Sequence, residues 1–155
     1  MISGFYYETK VGKLGIVEDG EGITHVFFGE ITVKEITIKE TTLLKEAKRQ
    51  LDEYLDGNRQ AFQLKLKPEG TEFRKKVWGT LLNIPYGKTV SYKHIAKAVG
   101  NEKAARAVGM ANNKNPIPIF IPCHRVVGSN GNLIGYAGGI DIKKKLLDLE
   151  IDINN

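Results

Sequence analysis

The spacing of apolar residues changes period several times along the chain. Three short segments, 2–8 (ISGFYYE), 13–18 (KLGIVE) and 22–28 (GITHVFF), are rich in Ile, Val, Phe and Tyr. Gly-containing turns at 12 and 19–22 separate them. This pattern predicts an antiparallel meander. A fourth segment, 31–38 (ITVKEITI), alternates less regularly and is a candidate fourth strand. From 42 to 56 the period becomes helical. Leu43, Leu44, Ala47, Leu51, Tyr54 and Leu55 fall on one face, with Thr41 or Thr42 as N-cap and Gly57 just past the end. Residues 62–66 (FQLKL) alternate again, as a strand would.

Lys67-Pro68-Glu69-Gly70 is the natural boundary. It divides the chain into an N-terminal α/β part, 1–67, and a C-terminal part, 68–155. The second part is predominantly helical in its spacing. A helix from Thr71 puts Phe73, Val77, Leu81 and Leu82 on one stripe with Trp78 beside it. Pro85-Tyr86-Gly87 turns the chain. Ser91 caps a short helix over 92–99, and Asn101 caps another over about 102–112. Two short helices joined by Gly100-Asn101 predict a helix-turn-helix. A Pro-punctuated extended run follows at 115–122, then a Gly/Asn-rich hairpin region at 126–134. Asp141 caps a last helix carrying Ile142, Leu146, Leu147 and Leu149.

Charge sharpens this division. The chain has 155 residues and a formal net charge of +5. Residues 1–70 carry a net −2 and residues 71–155 a net +7. A basic module suits a polyanion such as nucleic acid, and a solvated lysine-rich face is the plainer alternative. No apolar run approaches the roughly 20 residues of a membrane span. Glu8 stands where a signal peptide would still be apolar, so no export is expected. One cysteine and three histidines leave no intramolecular disulfide and no cysteine-based structural zinc.

Two features carry candidate chemistry. The second helix of the helix-turn-helix offers Ala104, Ala105, Ala107, Gly109 and Ala111 around a single Arg106. Small residues suit close approach, either to a minor groove with Arg106 reaching inside or to a neighbouring helix. The lone Cys123 follows Ile119-Phe120-Ile121 and precedes His124 and Arg125. A cysteine beside an apolar run can be an inert buried residue. Cationic neighbours can instead lower its pKa from about 8.5 and make it a nucleophile. Without a second thiol, redox cycling within the chain is awkward. An acyl-enzyme hydrolase and a once-only thioether-forming reaction both remain open.

The segment NPIPIFIPCHRVVGSNGNLIGYAGG (115–139) resembles the active-site region of the O6-alkylguanine-DNA alkyltransferases, the methylated-DNA–protein-cysteine methyltransferases. Pro122-Cys123-His124-Arg125-Val126 is the signature. It is joined by Tyr86-x-Gly-Lys-x-x-Ser-Tyr92, by Ala-Ala-Arg-Ala-Val-Gly at 104–109 and by Gly-Tyr-Ala-Gly-Gly at 135–139. The match covers most of 71–150, whereas 1–67 matches in size and element order only.

The resemblance implies an α/β (α+β) fold in two parts. A small ribonuclease-H-like domain with an antiparallel sheet precedes a mainly helical, winged-helix-like helix-turn-helix domain that binds the minor groove. It implies a nucleotide flipped out of duplex DNA and an alkyl group moved irreversibly from O6 of guanine, with O4 of thymine as a second donor, to Cys123. His124 acts as base through a water, oriented by Glu150. Asn115 ties the active-site turn to the recognition helix. Tyr92 protonates the departing guanine and helps swing the phosphate, and Arg106 fills the gap left by the base. Val126, Tyr136, Ala137 and Gly138 line the base pocket, and Lys93, Asn101 and Ser129 meet the DNA backbone. No cofactor, metal or membrane is implied, and the protein is expected to be a cytoplasmic monomer. Ala137 stands where some relatives have Ser, and the zinc set of some relatives is missing. Cys123 separates this chain from alkyltransferase-like proteins, which lack the cysteine. A non-catalytic DNA-binding sensor or regulator is the alternative.

Overall fold

In the computed structural model, residues 1–153 are described. The chain divides into two compact units, Met1–Glu69 and the residues from Gly70 onward.

The first unit is a four-stranded sheet with one helix. β1 (Ser3–Thr9), β2 (Gly12–Glu18) and β3 (Ile23–Phe28) form the antiparallel meander, and β4 (Thr37–Ile38) adds parallel to β1. The order is β3-β2-β1-β4. The β1–β2 turn closes where Gly12 takes φ +96°, a conformation costly for any residue with a Cβ. Leu14, Ile16 and Val17 of the central β2 are buried. α1 (Thr42–Leu55) buries Leu44, Ala47, Leu51, Tyr54 and Leu55. Thr41 caps it, accepting from the Leu44 N–H and donating at 2.8 Å to the buried Glu18 carboxylate.

Two expected strands shrink. Segment 31–38 contributes only Thr37 and Ile38 to the sheet. Its Ile31 side chain lies where side chains at Gly4 and Gly15 would otherwise stand, and the Ile31 N–H donates to the Tyr6 hydroxyl. Segment 62–66 makes a single parallel bridge, Leu66 to Ile23. There the Gln50 side chain occupies the backbone of Gln63, accepting its N–H and donating to its carbonyl.

The second unit contains α2 (Glu72–Leu81), α3 (Tyr92–Ala98), α4 (Ala105–Asn113) and α5 (Ile140–Ile153), with a parallel pair of two-residue strands, β5 (Val90–Ser91) and β6 (Val126–Val127). Thr71 and Ser91 cap α2 and α3 through their hydroxyls. α3 stops at Gly100 (φ +91°), whose turn leads to α4. α2 packs on α4, where the buried Trp78 indole N–H donates at 2.8 Å to the Ala111 carbonyl.

Several expectations are corrected here. α4 begins at Ala105, because the Asn101 side chain caps a turn, accepting from the Lys103 N–H, and Ala104 at the helix start has no capping bond. Asp141 lies inside the first turn of α5, where its charge suits the helix dipole, so it is not the cap. Leu82 is exposed. On α5 the buried stripe is Lys143, Leu146, Leu147 and Glu150, with Ile142 and Leu149 half-buried. The run 115–122 is a compact buried turn rather than an extended strand. Ile121 donates back to Ile117 at 2.9 Å, and Ile119 takes φ +75°. The 126–134 region forms no strand pair of its own; β6 pairs with β5, and Gly128 donates to the Asn132 carbonyl to close a turn.

Candidate active site around Cys123

Cys123 opens a single 3-10 turn, Cys123–Arg125, and is 4% exposed. Its N–H donates to the Ile121 carbonyl at 2.8 Å, and its own carbonyl accepts the Val126 N–H. Asn115 organises the approach to this turn. Its Oδ1 accepts the Ile117 N–H and its Nδ2 donates to the Ile121 carbonyl, both at 2.9 Å. One side chain therefore spans the loop that a Pro-rich sequence could not hold with a backbone ladder.

Burial pushes the Cys123 thiol up to about 11, against the opposing pull of a hydrogen bond from Asn115 and the charge of Lys143. In this state the sulfur is a thiol at neutral pH. It becomes a nucleophile only if a base takes its proton.

The adjacent His124 is fully buried, and its Nε2 lies 2.7 Å from Glu150 Oε2. Burial lowers the His124 pKa, although Glu150 works to raise it. The ring is then neutral, with Nε2–H donating to the carboxylate and Nδ1 in its acceptor form. Burial would raise the Glu150 carboxyl. The bonds and charges of His124 and Arg125 outweigh that and hold it at about 2. Arg125 grips the same carboxylate from Nε at 2.8 Å and Nη2 at 3.0 Å, and its Nη1 donates to the Ile84 carbonyl. The Gly87 N–H adds a fourth donor at 3.0 Å. Glu150 thus carries a fixed negative charge in a buried, well-bonded position.

Lys143 is the cation that acts on the sulfur. The expected role of Arg125 beside the thiol is corrected, because its guanidinium turns to Glu150. Lys143 is 0% exposed. Its Nζ donates to the carbonyls of Val126 at 2.7 Å, Ile134 at 3.0 Å and Gly135 at 3.5 Å. Burial lowers its pKa, and the Cys123 charge opposes that fall. The Ile134 carbonyl also accepts the Tyr92 hydroxyl at 3.2 Å. Burial, followed by the Cys123 charge, raises the Tyr92 pKa, so this phenol keeps its proton at neutral pH.

One network therefore joins Cys123, His124, Glu150 and Asn115, and reaches Val126 and Tyr92 through Lys143. Tyr136, Ala137 and Gly138 follow Gly135 in the loop that leads to α5. Arg106 stands exposed on the outer face of α4 with Ala107 and Met110. Lys93, Asn101 and Ser129 are exposed on α3, on the helix-turn-helix turn and on the 128–132 turn. These four do not join the buried network. Sequence reasoning missed Lys143, and a signal for it was present. It sits at i, i+3, i+4 and i+7 spacing with Leu146, Leu147 and Glu150, the buried face of α5.

A model of the 6-O-methylguanine DNA methyltransferase DNA binding domain matches residues 72–151, and one of the ribonuclease-like domain of the same family matches residues 4–68. A methylated-DNA–protein-cysteine methyltransferase of Methanosarcina acetivorans is 49% identical over 148 residues, covering 93% of this chain and 95% of that protein. The constitutive enzyme of that name from Bacillus subtilis is 49% identical over 151 residues, covering 92% of each. Among solved structures, Mycobacterium tuberculosis OGT in complex with DNA superposes with a TM-score of 0.92 at 40% identity, covering 97% of this chain and 94% of that one. An O6-methylguanine DNA methyltransferase from Methanococcus jannaschii gives 0.68 at 29% identity, covering 94% and 92%. Among the described residues, no group of His, Cys, Asp and Glu could hold a metal ion, and no helix is long and apolar enough to cross a membrane.

Proposed function

The chain belongs to the 6-O-methylguanine DNA methyltransferase family, and from that membership we propose a once-only DNA repair reaction centred on Cys123. The protein moves a methyl or other alkyl group from O6 of guanine in duplex DNA to its own sulfur. O4 of thymine is a second proposed donor.

The observation that carries this reading is the Cys123 turn with the buried His124–Glu150 pair beside it. The thiol proton passes through a water to His124 Nδ1, and Glu150 stabilises the imidazolium that forms. The sulfur lone pair forms the S–C bond in line as the C–O6 bond breaks. The electron pair leaves with guanine, which takes a proton from the Tyr92 hydroxyl. The phenolate is reprotonated from solvent or from the imidazolium. The product thioether has no bond that water hydrolyses readily, and no second thiol exists to exchange it. One protein molecule is consumed for each lesion.

Binding is assigned to 68–155 and scaffolding to 1–67. The helix-turn-helix of α3 and α4 docks in the minor groove, and Arg106 occupies the space of the flipped base. Lys93, Asn101 and Ser129 meet the sugar-phosphate backbone, and Val126, Tyr136, Ala137 and Gly138 enclose the guanine. The protein acts as a monomer. The proposed place of action is the cytoplasm, where a lone reactive thiol stays reduced.

The test is a mass measurement. A duplex with one O6-methylguanine should add a single methyl to the peptide holding Cys123 and stop at one equivalent. Cys123→Ser should bind duplex normally and transfer nothing. Unmodified protein after incubation would point to a non-catalytic sensor, and repeated turnover to a hydrolase.

A further inference from the structure

The last turn of α4 carries a buried amide to which the reaction above gives no role. Asn112 is 3% exposed. Its Nδ2 donates to the Cys123 carbonyl at 3.4 Å, while its Oδ1 is buried with no hydrogen-bond partner among the described residues. The Cys123 carbonyl also accepts the Val126 N–H. Three residues further on, Asn115 holds the Ile121 carbonyl, which receives the Cys123 N–H. The Ile121 carbonyl that receives the Cys123 N–H and the carbonyl of Cys123 itself are thus each bonded by an amide, the first from just past the end of α4 and the second from its last turn. Trp78 anchors that end through the Ala111 carbonyl.

Folding alone gives little reason for an asparagine here. An alkyl side chain of similar size would leave no buried acceptor unsatisfied. Asparagine is also a weaker helix former than leucine. A half-satisfied buried amide in a native structure calls for a functional explanation. Its one bond goes to the residue that reacts.

We propose that Asn112 is a positioning residue that fixes the peptide plane between Cys123 and His124, so that the helix docking on DNA also aims the sulfur. The inference rests on the alkyl-transfer reading. In-line displacement needs the reacting atoms about 3–3.5 Å apart and aligned, and a misplacement of about 1 Å can lower the rate about 100-fold. The 123–124 plane sets the direction of the Cys123 side chain and the start of His124. The contacts to its carbonyl, from Asn112 and from the Val126 N–H, therefore govern nucleophile and base together. Asn115 holds the Ile121–Pro122 peptide, whose carbonyl receives the Cys123 N–H, and leaves the 123–124 plane to Asn112.

The test compares the full-length protein with Asn112→Leu, Asn112→Ala and Asn112→Asp in single-turnover transfer from a duplex containing one O6-methylguanine. For Asn112→Leu the maximal rate should fall about tenfold or more. The protein concentration giving half-maximal rate should stay the same, and the thermal midpoint should be equal to or above that of the parent. Asn112→Asp puts a carboxylate beside the Cys123 backbone and should move the pH midpoint of transfer upward. If the parent transfers nothing, the alkyl-transfer reading fails. If the parent transfers and Asn112→Leu matches its rate, the positioning role alone fails. A rate loss that tracks a loss of thermal stability in Leu and Ala alike would make the residue structural and also overturn the proposal.

Discussion

At the scale of single residues, the site separates two tasks that sequence adjacency would merge. His124 and Arg125 follow Cys123 directly, yet both turn to Glu150, and the cation acting on the sulfur comes from α5. Lys143→Met removes that cation and leaves the Val126, Ile134 and Gly135 carbonyls without their shared donor. Transfer at neutral pH should drop about 10- to 100-fold, and its rate should rise with pH over a higher range than in the parent. Single-turnover rates from pH 6 to 10, on the order of one point per half unit, read both effects. Glu150 has the opposite sign. Its folded-state pKa of about 2 lies below that of an ordinary carboxyl, near 4.3. The stability it contributes is present above about pH 4.5 and is lost as pH falls towards 2. Glu150→Gln should flatten this acid limb. It should also destabilise the protein at neutral pH by about 3–5 kcal/mol, because the buried Arg125 charge loses its carboxylate. Urea titrations at pH 7 and at about pH 2.5 check both signs.

At the scale of elements, much was legible where a local signal acts alone. Thr41 and Ser91 cap the helices their positions predict, Thr71 caps the helix expected to start from it, and the three meander strands lie within two residues of the expected segments. The failures occur where a side chain from elsewhere takes over the backbone. Gln50 replaces a ladder along 62–66, and Asn115 folds 115–122 into a turn. No period in the sequence encodes such a bond. On α5 the apolar count misled for a related reason, since two charged residues, Lys143 and Glu150, occupy the buried stripe, Lys143 bonded by backbone carbonyls and Glu150 by His124, Arg125 and the Gly87 N–H. The family resemblance named Cys123, His124, Glu150, Asn115, Val126 and Tyr92, which the structure joins in one network, but not Lys143 or the electrostatic wiring. The face of α4 was legible in composition. Its exposed Arg106 rises among Ala and Gly, with Met110 one turn away. Arg106→Ala should weaken duplex binding and slow repair about tenfold or more, without changing the pH profile, because it removes the proposed DNA contact and leaves the Cys123 network whole. Titration of labelled duplex and single-turnover kinetics measure the two losses separately.

At the scale of the whole molecule, charge and chemistry lie in the same half of the chain. The residues after 70 carry the net +7 and also every member of the Cys123 network, whereas the first 70 carry a net −2. Attraction to a polyanion and the bond-making step are thus encoded in one unit. The near-neutral partner unit has its own sheet, helix and buried apolar centre. The tight enclosure of the nucleophile has a consequence for the protein's lifetime. Cys123 lies packed beneath the surface in a one-turn helix, with its own N–H and carbonyl already engaged. Adding even one methyl group there overfills the interior, at about 1–3 kcal/mol. The spent molecule should therefore melt several degrees below the unreacted one, a difference that calorimetry on both forms would detect. A larger alkyl group should lower the midpoint further. Completion of repair would then be recorded as a loss of fold stability, which leaves the used protein more open to proteolysis than the protein still able to act.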